Sequence, residues 1–143
     1  GSATTDESGV ASMQVTLSGP ARQTEQTAAF AGDEDHAAAS VTAGFEVTLE
    51  DSTMELGVTR KGSTYSATAR LSETDTATGL GGRQVRFVLN GETVATTATA
   101  ADGSATATFA TGKGRATDTI QAIFDGDDTY SGSSASVESR RGQ

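Results

Sequence analysis

Residues 82–109 read GRQVRFVLNGETVATTATAADGSATATF, and the alternation of apolar and polar residues in them indicates the fold class. Val85, Phe87 and Leu89 fall on every second position, and Asn90-Gly91 follows them directly. Successive side chains of a β-strand face opposite sides of the sheet. Asn-Gly favours a two-residue hairpin turn because both residues tolerate a positive φ. The stretch therefore predicts a strand, a tight turn and a second strand.

Similar alternation runs through residues 48–139 and shows no helical period. It predicts seven strands separated by Gly-containing turns, among them a second hairpin turn at Asp102-Gly103. The Thr-rich strand within 92–100 is expected at a sheet edge. The number and spacing of the strands are typical of a two-sheet Greek-key sandwich. The predicted core is built around Phe87, Phe109, Ile120, Phe124 and Tyr130.

The chain also matches itself when it is shifted by 94 positions. Residues 7–15 fall over 101–109, and residues 28–40 fall over 122–134, without a gap. A period of this length fits an immunoglobulin-sized sandwich. We therefore expect residues 1–47 to be the back half of one repeat and residues 48–143 to be a complete repeat. The three strands predicted for the half-repeat lie within 11–17, 27–30 and 41–45.

This half-repeat predicts an incomplete sandwich, because the strands would face a partner sheet that is not fully there. Open strand edges of this kind invite pairing with another chain. We expect either that the chain is a segment of a longer tandem array or that it borrows the missing strands from another molecule, by strand exchange or dimerisation through residues 7–47. The alternative to completion by another molecule is a loosely ordered N-terminal third.

Composition excludes several classes of function. The 143 residues carry a net charge of −9 and no Cys, and a single His is present. Nucleic acid is an unexpected partner, since phosphate contacts need clustered Lys and Arg. No apolar run approaches the ~18 residues that a membrane span requires, so membrane insertion is not expected. The absence of Cys excludes disulfides and thiolate metal sites.

Two acidic loops are candidate cation sites. Asp33-Glu34-Asp35 and Asp125-Gly126-Asp127-Asp128 each gather three carboxylates, which are the hard oxygen ligands that Ca²⁺ prefers. The alternative is that one Asp of each loop bonds its own turn backbone while the others stay solvated. Neither loop has the spaced D-x-D-x-D-G pattern of a calcium loop. Apart from this possible Ca²⁺, no cofactor is predicted.

Catalytic chemistry has little material. His36 lies beside Asp35 and four residues from Ser40, which resembles part of a hydrolase triad, but no Gly-x-Ser-x-Gly turn is present. An intramolecular Lys61–Asn90 isopeptide bond would need both side chains buried beside a carboxyl group. Turn chemistry explains both residues better. We therefore predict that the chain is not an enzyme. Separately, we expect Tyr130 to be a buried anchor whose hydroxyl forms a hydrogen bond with nearby backbone.

The order of these features resembles the bacterial immunoglobulin-like repeats of secreted and cell-surface proteins. The matching pattern is a Gly before an inward V-x-F strand, a Gly-rich turn, then an aromatic residue, Gly-Asp, a second aromatic residue and Ser. It falls on Gly82, Val85, Phe87, Gly103, Phe124, Gly126, Asp127, Tyr130 and Ser134. The first copy carries it at Gly9, Phe30, Gly32, Asp33 and Ser40, and departs at His36.

The resemblance implies an extracellular or cell-surface location with neighbouring repeats of the same chain as partners. It implies a non-enzymatic spacer, stalk or adhesive module. The alternative is an accessory module of a secreted enzyme that contacts a polymer, such as a carbohydrate, through its loops.

Overall fold

The computed structural model describes residues 1–17 and 19–140, and these residues form nine strands and no helix. The strands are β1 (Arg22–Phe30), β2 (Ala39–Val47), β3 (Ser52–Lys61), β4 (Thr64–Glu73), β5 (Gln84–Leu89), β6 (Glu92–Ala98), β7 (Ser104–Ala110), β8 (Thr117–Phe124) and β9 (Ser133–Arg140). They divide into two compact units, Gly1–Thr48 and Leu49–Gln143. Within the described ranges no helix is long and apolar enough to cross a membrane.

The second unit consists of two antiparallel sheets that share one hydrophobic core. One sheet has the strand order β3-β4-β7 and the other has the order β6-β5-β8-β9. Buried residues of both sheets form a single cluster that includes Tyr65, Val85, Phe109 and Ile120. The predicted all-β sandwich is thus confirmed, and β6 lies at a sheet edge as expected.

The strand phases follow the sequence alternation. Phe87 and Ile120 are fully buried, and Phe109 and Phe124 are buried as well. Tyr130 is only partly buried and packs against the rim of this core. Asn90 has a φ of 52° and Gly91 a φ of 90°, as a hairpin turn of this type requires.

The second predicted hairpin turn is wrong. Asp102-Gly103 connects β6 to β7, and these strands belong to different sheets. The segment is held by a close approach of backbones, in which the Leu71 N–H donates to the Gly103 carbonyl at 2.9 Å. A Cβ atom on Gly103, whose φ is 83°, would overlap the Leu71 carbonyl oxygen. The turn sequence is therefore used to change sheets.

The first unit contains a two-stranded antiparallel sheet, β1-β2. Two of its three predicted strands are present, but residues 11–17 form none. Their counterpart 94 positions later lies in β7, which pairs with β4. No described residue of the first unit takes the place of β4, so the segment lacks the ladder partner that would make it a strand.

We expect Gly103→Ala to destabilise the protein more than Gly62→Ala does. Both glycines have positive φ, at 83° and 59°, but a Cβ on Gly62 meets nothing within 4 Å. Backbone strain alone costs about 1–2 kcal/mol, and the overlap at Gly103 adds about 1–3 kcal/mol. Urea unfolding of both variants measures the difference. Equal losses would contradict the close packing of the β6–β7 connection.

Deletion of residues 1–48 should leave the second unit folded, because its sheets and core lie within Leu49–Gln143. We expect a stability change below about 1 kcal/mol, which is a shift in Tm of less than ~4–8 °C. Calorimetry of the shortened protein gives the value. Loss of cooperative unfolding would show that the first unit contributes to this core.

Candidate functional site

A buried carboxylate lies between the two sheets. Asp118, on β8, is fully buried. Its Oδ2 accepts hydrogen bonds from the Tyr65 hydroxyl at 3.0 Å and the Gly112 N–H at 3.2 Å, and its Oδ1 accepts one from Asn90 Nδ2 at 2.8 Å. Asn90 in turn accepts a bond from the Thr119 N–H through its own Oδ1, at 3.0 Å.

These bonds join three segments that are distant in sequence. Tyr65 belongs to the β3-β4-β7 sheet, Asn90 to the β5–β6 turn, and Gly112 to the β7–β8 connection. A buried carboxylate persists only when it is paired or well hydrogen-bonded, and its partners are costly to remove. The arrangement is a polar crosslink of the sandwich.

Sequence reasoning missed Asp118, although a signal was present. The inward phase of β8 runs through Ile120, Ala122 and Phe124, and Asp118 continues it by one step. A charged residue on a buried phase predicts a partnered group in the core. The tyrosine whose hydroxyl is bonded in the core is therefore Tyr65, whereas Tyr130, the predicted anchor, has no hydroxyl bond to any described residue.

Asn90 and Lys61, the two residues considered for an isopeptide bond, lie in different environments. Asn90 does lie beside a carboxylate, as that reaction needs. Lys61, however, is exposed at the end of β3, opposite Thr64 and next to the turn at Gly62. The geometry thus favours the turn role of Lys61.

The loop that follows β8 carries two carboxylate–arginine pairs. Asp125 receives two hydrogen bonds from Arg86, at 2.9 and 3.2 Å. Oδ2 of Asp127 lies 2.6 Å from Arg83 Nε, and the Arg83 guanidinium lies 5.5 Å from the centre of the Tyr130 ring. Oδ1 of Asp127 accepts the N–H groups of Thr129 and Tyr130, both at 2.8 Å.

These contacts engage two of the candidate calcium ligands, Asp125 and Asp127. Burial raises the pKa of Asp127, but the backbone N–H groups of Tyr130 and Thr129 and the charge of Arg83 lower it by more. The Arg86 guanidinium lowers the pKa of Asp125. Across residues 1–17 and 19–140, no three His, Cys, Asp or Glu side chains are grouped so as to hold a metal ion. The remaining candidate ligands, Glu34, Asp35 and Asp128, are therefore not part of any such group. The Asx-turn alternative describes both loops.

Asp33 forms the same turn in the first unit. Its Oδ1 accepts the N–H groups of Asp35 at 2.9 Å and His36 at 2.7 Å, and it lies 3.0 Å from His36 Nδ1. The backbone N–H of Asp35, then the His36 ring, lower the pKa of Asp33. His36 therefore contacts Asp33 rather than Asp35 and is exposed, while Ser40 lies in β2 opposite Ala29. This is a turn and not a catalytic triad.

The hydrogen bonding of the two units coincides at an offset of 94 positions. The β1–β2 ladder pairs Phe30 with Ala39, and the β8–β9 ladder pairs Phe124 with Ser133. All the remaining residue pairs of the β8–β9 ladder also have a counterpart in the β1–β2 ladder at the same offset.

The turns agree as well. The Asp33 N–H donates to the His36 carbonyl and the Asp127 N–H to the Tyr130 carbonyl, both at 2.9 Å. A second pair of turns lies at Gly9 and Gly103, whose φ angles are 82° and 83°. The N–H groups of these two glycines donate to the carbonyls of Asp6 and Ala100, which are again 94 positions apart.

The depression beside the second loop is shallow. It has a volume of about 440 Å³ and is lined by residues 82–84 and 124–127. Its charged groups are the ion-paired Arg83, Asp125 and Asp127. Comparison of the chain with protein-family models, with curated proteins and with solved structures gave no match.

Tyr65→Phe should destabilise the protein by about 2–3 kcal/mol, because it removes a donor from a buried carboxylate. The matched control is Tyr130→Phe, which removes the same hydroxyl from a half-buried ring and should change stability by less than ~0.5 kcal/mol. Denaturant unfolding of both variants tests the buried crosslink. Equal effects would show that the Tyr65–Asp118 bond contributes little.

Asp127→Asn should lower stability at neutral pH and have little effect in acid. A carboxyl whose pKa is lowered by folding stabilises the protein above its unfolded pKa, and this stabilisation is lost as the pH falls through the folded pKa. The difference at neutral pH should be about 1 kcal/mol or less, as for partly exposed ion pairs. Unfolding from pH 7 to pH 2.5 measures it, with Asp128→Asn as the control for net charge. A difference that is constant with pH would contradict the role of the ionised form.

Proposed function

We propose that the chain is a non-enzymatic, immunoglobulin-like repeat segment that serves as a structural spacer or adhesive stalk of an extracellular or cell-surface protein. The observation that carries the proposal is the 94-residue offset shared by the ladders and turns of the two units. Hydrogen bonding that recurs at a fixed offset is what tandem copies of one domain produce.

The strand order of the second unit supports an immunoglobulin-like assignment. Numbered from the start of that unit, its sheets have the orders 1-2-5 and 4-3-6-7. The chain therefore passes between the sheets three times, at the connections β4–β5, β6–β7 and β7–β8. Such crossings are a property of Greek-key sandwiches and are absent from simple meanders.

The chemistry of the described side chains favours a mechanical role over a catalytic one. The buried carboxylate of Asp118 is bonded within the core, and the loop carboxylates Asp125 and Asp127 are paired with arginines. These carboxyl groups make contacts within the fold. A core with a polar crosslink and a loop with two carboxylate–arginine pairs suit a module that transmits force along a chain of repeats.

The aromatic residues argue against the alternative of a carbohydrate-binding accessory module. Sugar rings stack on exposed aromatic faces, whereas in the second unit Tyr65, Phe87, Phe109 and Phe124 are buried and Tyr130 is half-buried. The chain contains no Trp. The described part of this unit therefore offers no aromatic platform.

A concatemer tests the proposal. Three tandem copies of residues 49–142 should unfold under force one at a time with equal steps. Each step should release 94 residues, an extended length of roughly 310–340 Å, less the folded length of one copy. Irregular steps, or joint unfolding of the copies, would overturn the spacer assignment. Saturable binding of a polysaccharide in titration calorimetry would instead favour the accessory module.

A further inference from the structure

The first unit contains a strand edge whose counterpart in the second unit is occupied. In the second unit β8 pairs with β9 on one side and with β5 on the other, where Phe87 lies opposite Ala122 and Leu89 opposite Ile120. The counterpart of β8 is β1, which pairs with β2 alone among the described strands. At the 94-residue offset, the edge that β5 would take is Gln26–Ala29.

A groove runs beside this edge. Its volume is about 520 Å³, and it is lined by residues 1–3, 11–13, 15 and 26–29. Met13 and Val15 in this groove are 49% and 51% exposed. Their counterparts, Ala107 and Phe109, are buried in the cluster that contains Val85 and Phe87 of β5. The groove of the first unit thus corresponds to the part of the core that side chains of β5 help to fill in the second unit.

Charge indicates which kind of strand would fit. Residues 1–48 contain seven carboxylates and one arginine, a net charge of −6. Asp33, the counterpart of Asp127, is half-exposed, and its Oδ2 atom has no polar partner within the described residues. In the second unit the matching Oδ2 atom lies 2.6 Å from Arg83, two residues before Val85. A strand with an arginine at this position would complement Asp33.

We propose that the first unit accepts one extended polypeptide strand of the pattern Arg-x-Val-x-Phe-x-Leu, antiparallel to β1. Its backbone pairs with Gln26–Ala29, its alternate apolar side chains enter the groove, and its arginine meets Asp33. This is strand addition, in which backbone hydrogen bonds provide affinity and alternate side chains provide specificity. The proposal rests on the repeat relation proposed above, which supplies the register.

A peptide with the sequence of residues 83–90, RQVRFVLN, tests the proposal against the full chain. Titration calorimetry should show saturable binding of one peptide per chain. In ¹H–¹⁵N NMR spectra the amide chemical shifts of residues 11–15 and 26–29 should change, and those of residues 117–124 should not. No saturable binding, or changes confined to 117–124, would overturn the proposal. Self-association of the chain without peptide binding would overturn it as well.

Two arginine variants of the peptide form a matched pair. Arg83→Gln should weaken binding about three- to fivefold, the range of a partly exposed ion pair. Arg86→Gln removes the same charge, but the counterpart of its partner Asp125 is Ala31, so the affinity should be unchanged. When the chain carries Asp33→Asn, the Arg83→Gln peptide and the parent peptide should bind to it with equal affinity. Equal weakening by both variants would show attraction to net charge alone and overturn the register.

This experiment is independent of the concatemer. Equal unfolding steps together with a failed titration would leave the spacer assignment in place and remove only the strand-acceptor site. Peptide binding with irregular unfolding steps would do the reverse.

Discussion

The carboxylate of Asp118 accepts bonds from Tyr65, Asn90 and Gly112, and these bonds join the sheets of the second unit. A buried carboxyl group in an apolar core is tolerable only with its hydrogen-bond partners in place, so the position of Asp118 constrains those of its neighbours. The β5–β6 turn must present Asn90, and β4 must present Tyr65. An inward phase shifted by one residue on β8 would remove the carboxylate from its donors. The polar crosslink therefore specifies register as well as stability.

The thinness of the apolar core makes this polar contribution large. Alanine occupies four fully or nearly buried positions of β4 and β7, namely 67, 69, 105 and 107. Large side chains such as Phe87 and Ile120 fill the space opposite them. Both sheets combine small and large buried residues, since Tyr65, Leu71 and Phe109 lie on the same sheet as these alanines and Ala122 lies on the sheet of Phe87 and Ile120. The sandwich is thus compact with only 22 Leu, Ile, Val and Phe residues in the whole chain.

Local patterns were enough to predict the strands of the second unit, because a half-buried strand has apolar and polar residues at alternate positions of its sequence. Pairing across distance was less accessible. Asp102-Gly103 has the composition of a hairpin turn, but the carbonyl of Gly103 bonds to Leu71, which only the folded sheets bring near. Residues 11–17 have strand alternation without a ladder partner, and alternation alone does not make a strand. In the second acidic loop the sequence left two interpretations open, because the arginines that pair with Asp125 and Asp127 are 39 and 44 positions away.

The matching registers of β1–β2 and β8–β9 have a consequence for folding during synthesis. Neighbouring copies of a repeat can exchange equivalent hairpins and become trapped in misassembled forms. In such an exchange, Gln26 would replace the fully buried Ile120, and Thr24 would replace Asp118. The exchanged sandwich would bury an amide and leave Tyr65 without its acceptor, and both are unfavourable. Divergence between the two hairpins therefore acts as proofreading, since the core of the second unit disfavours the β1–β2 hairpin in place of its own β8–β9 hairpin.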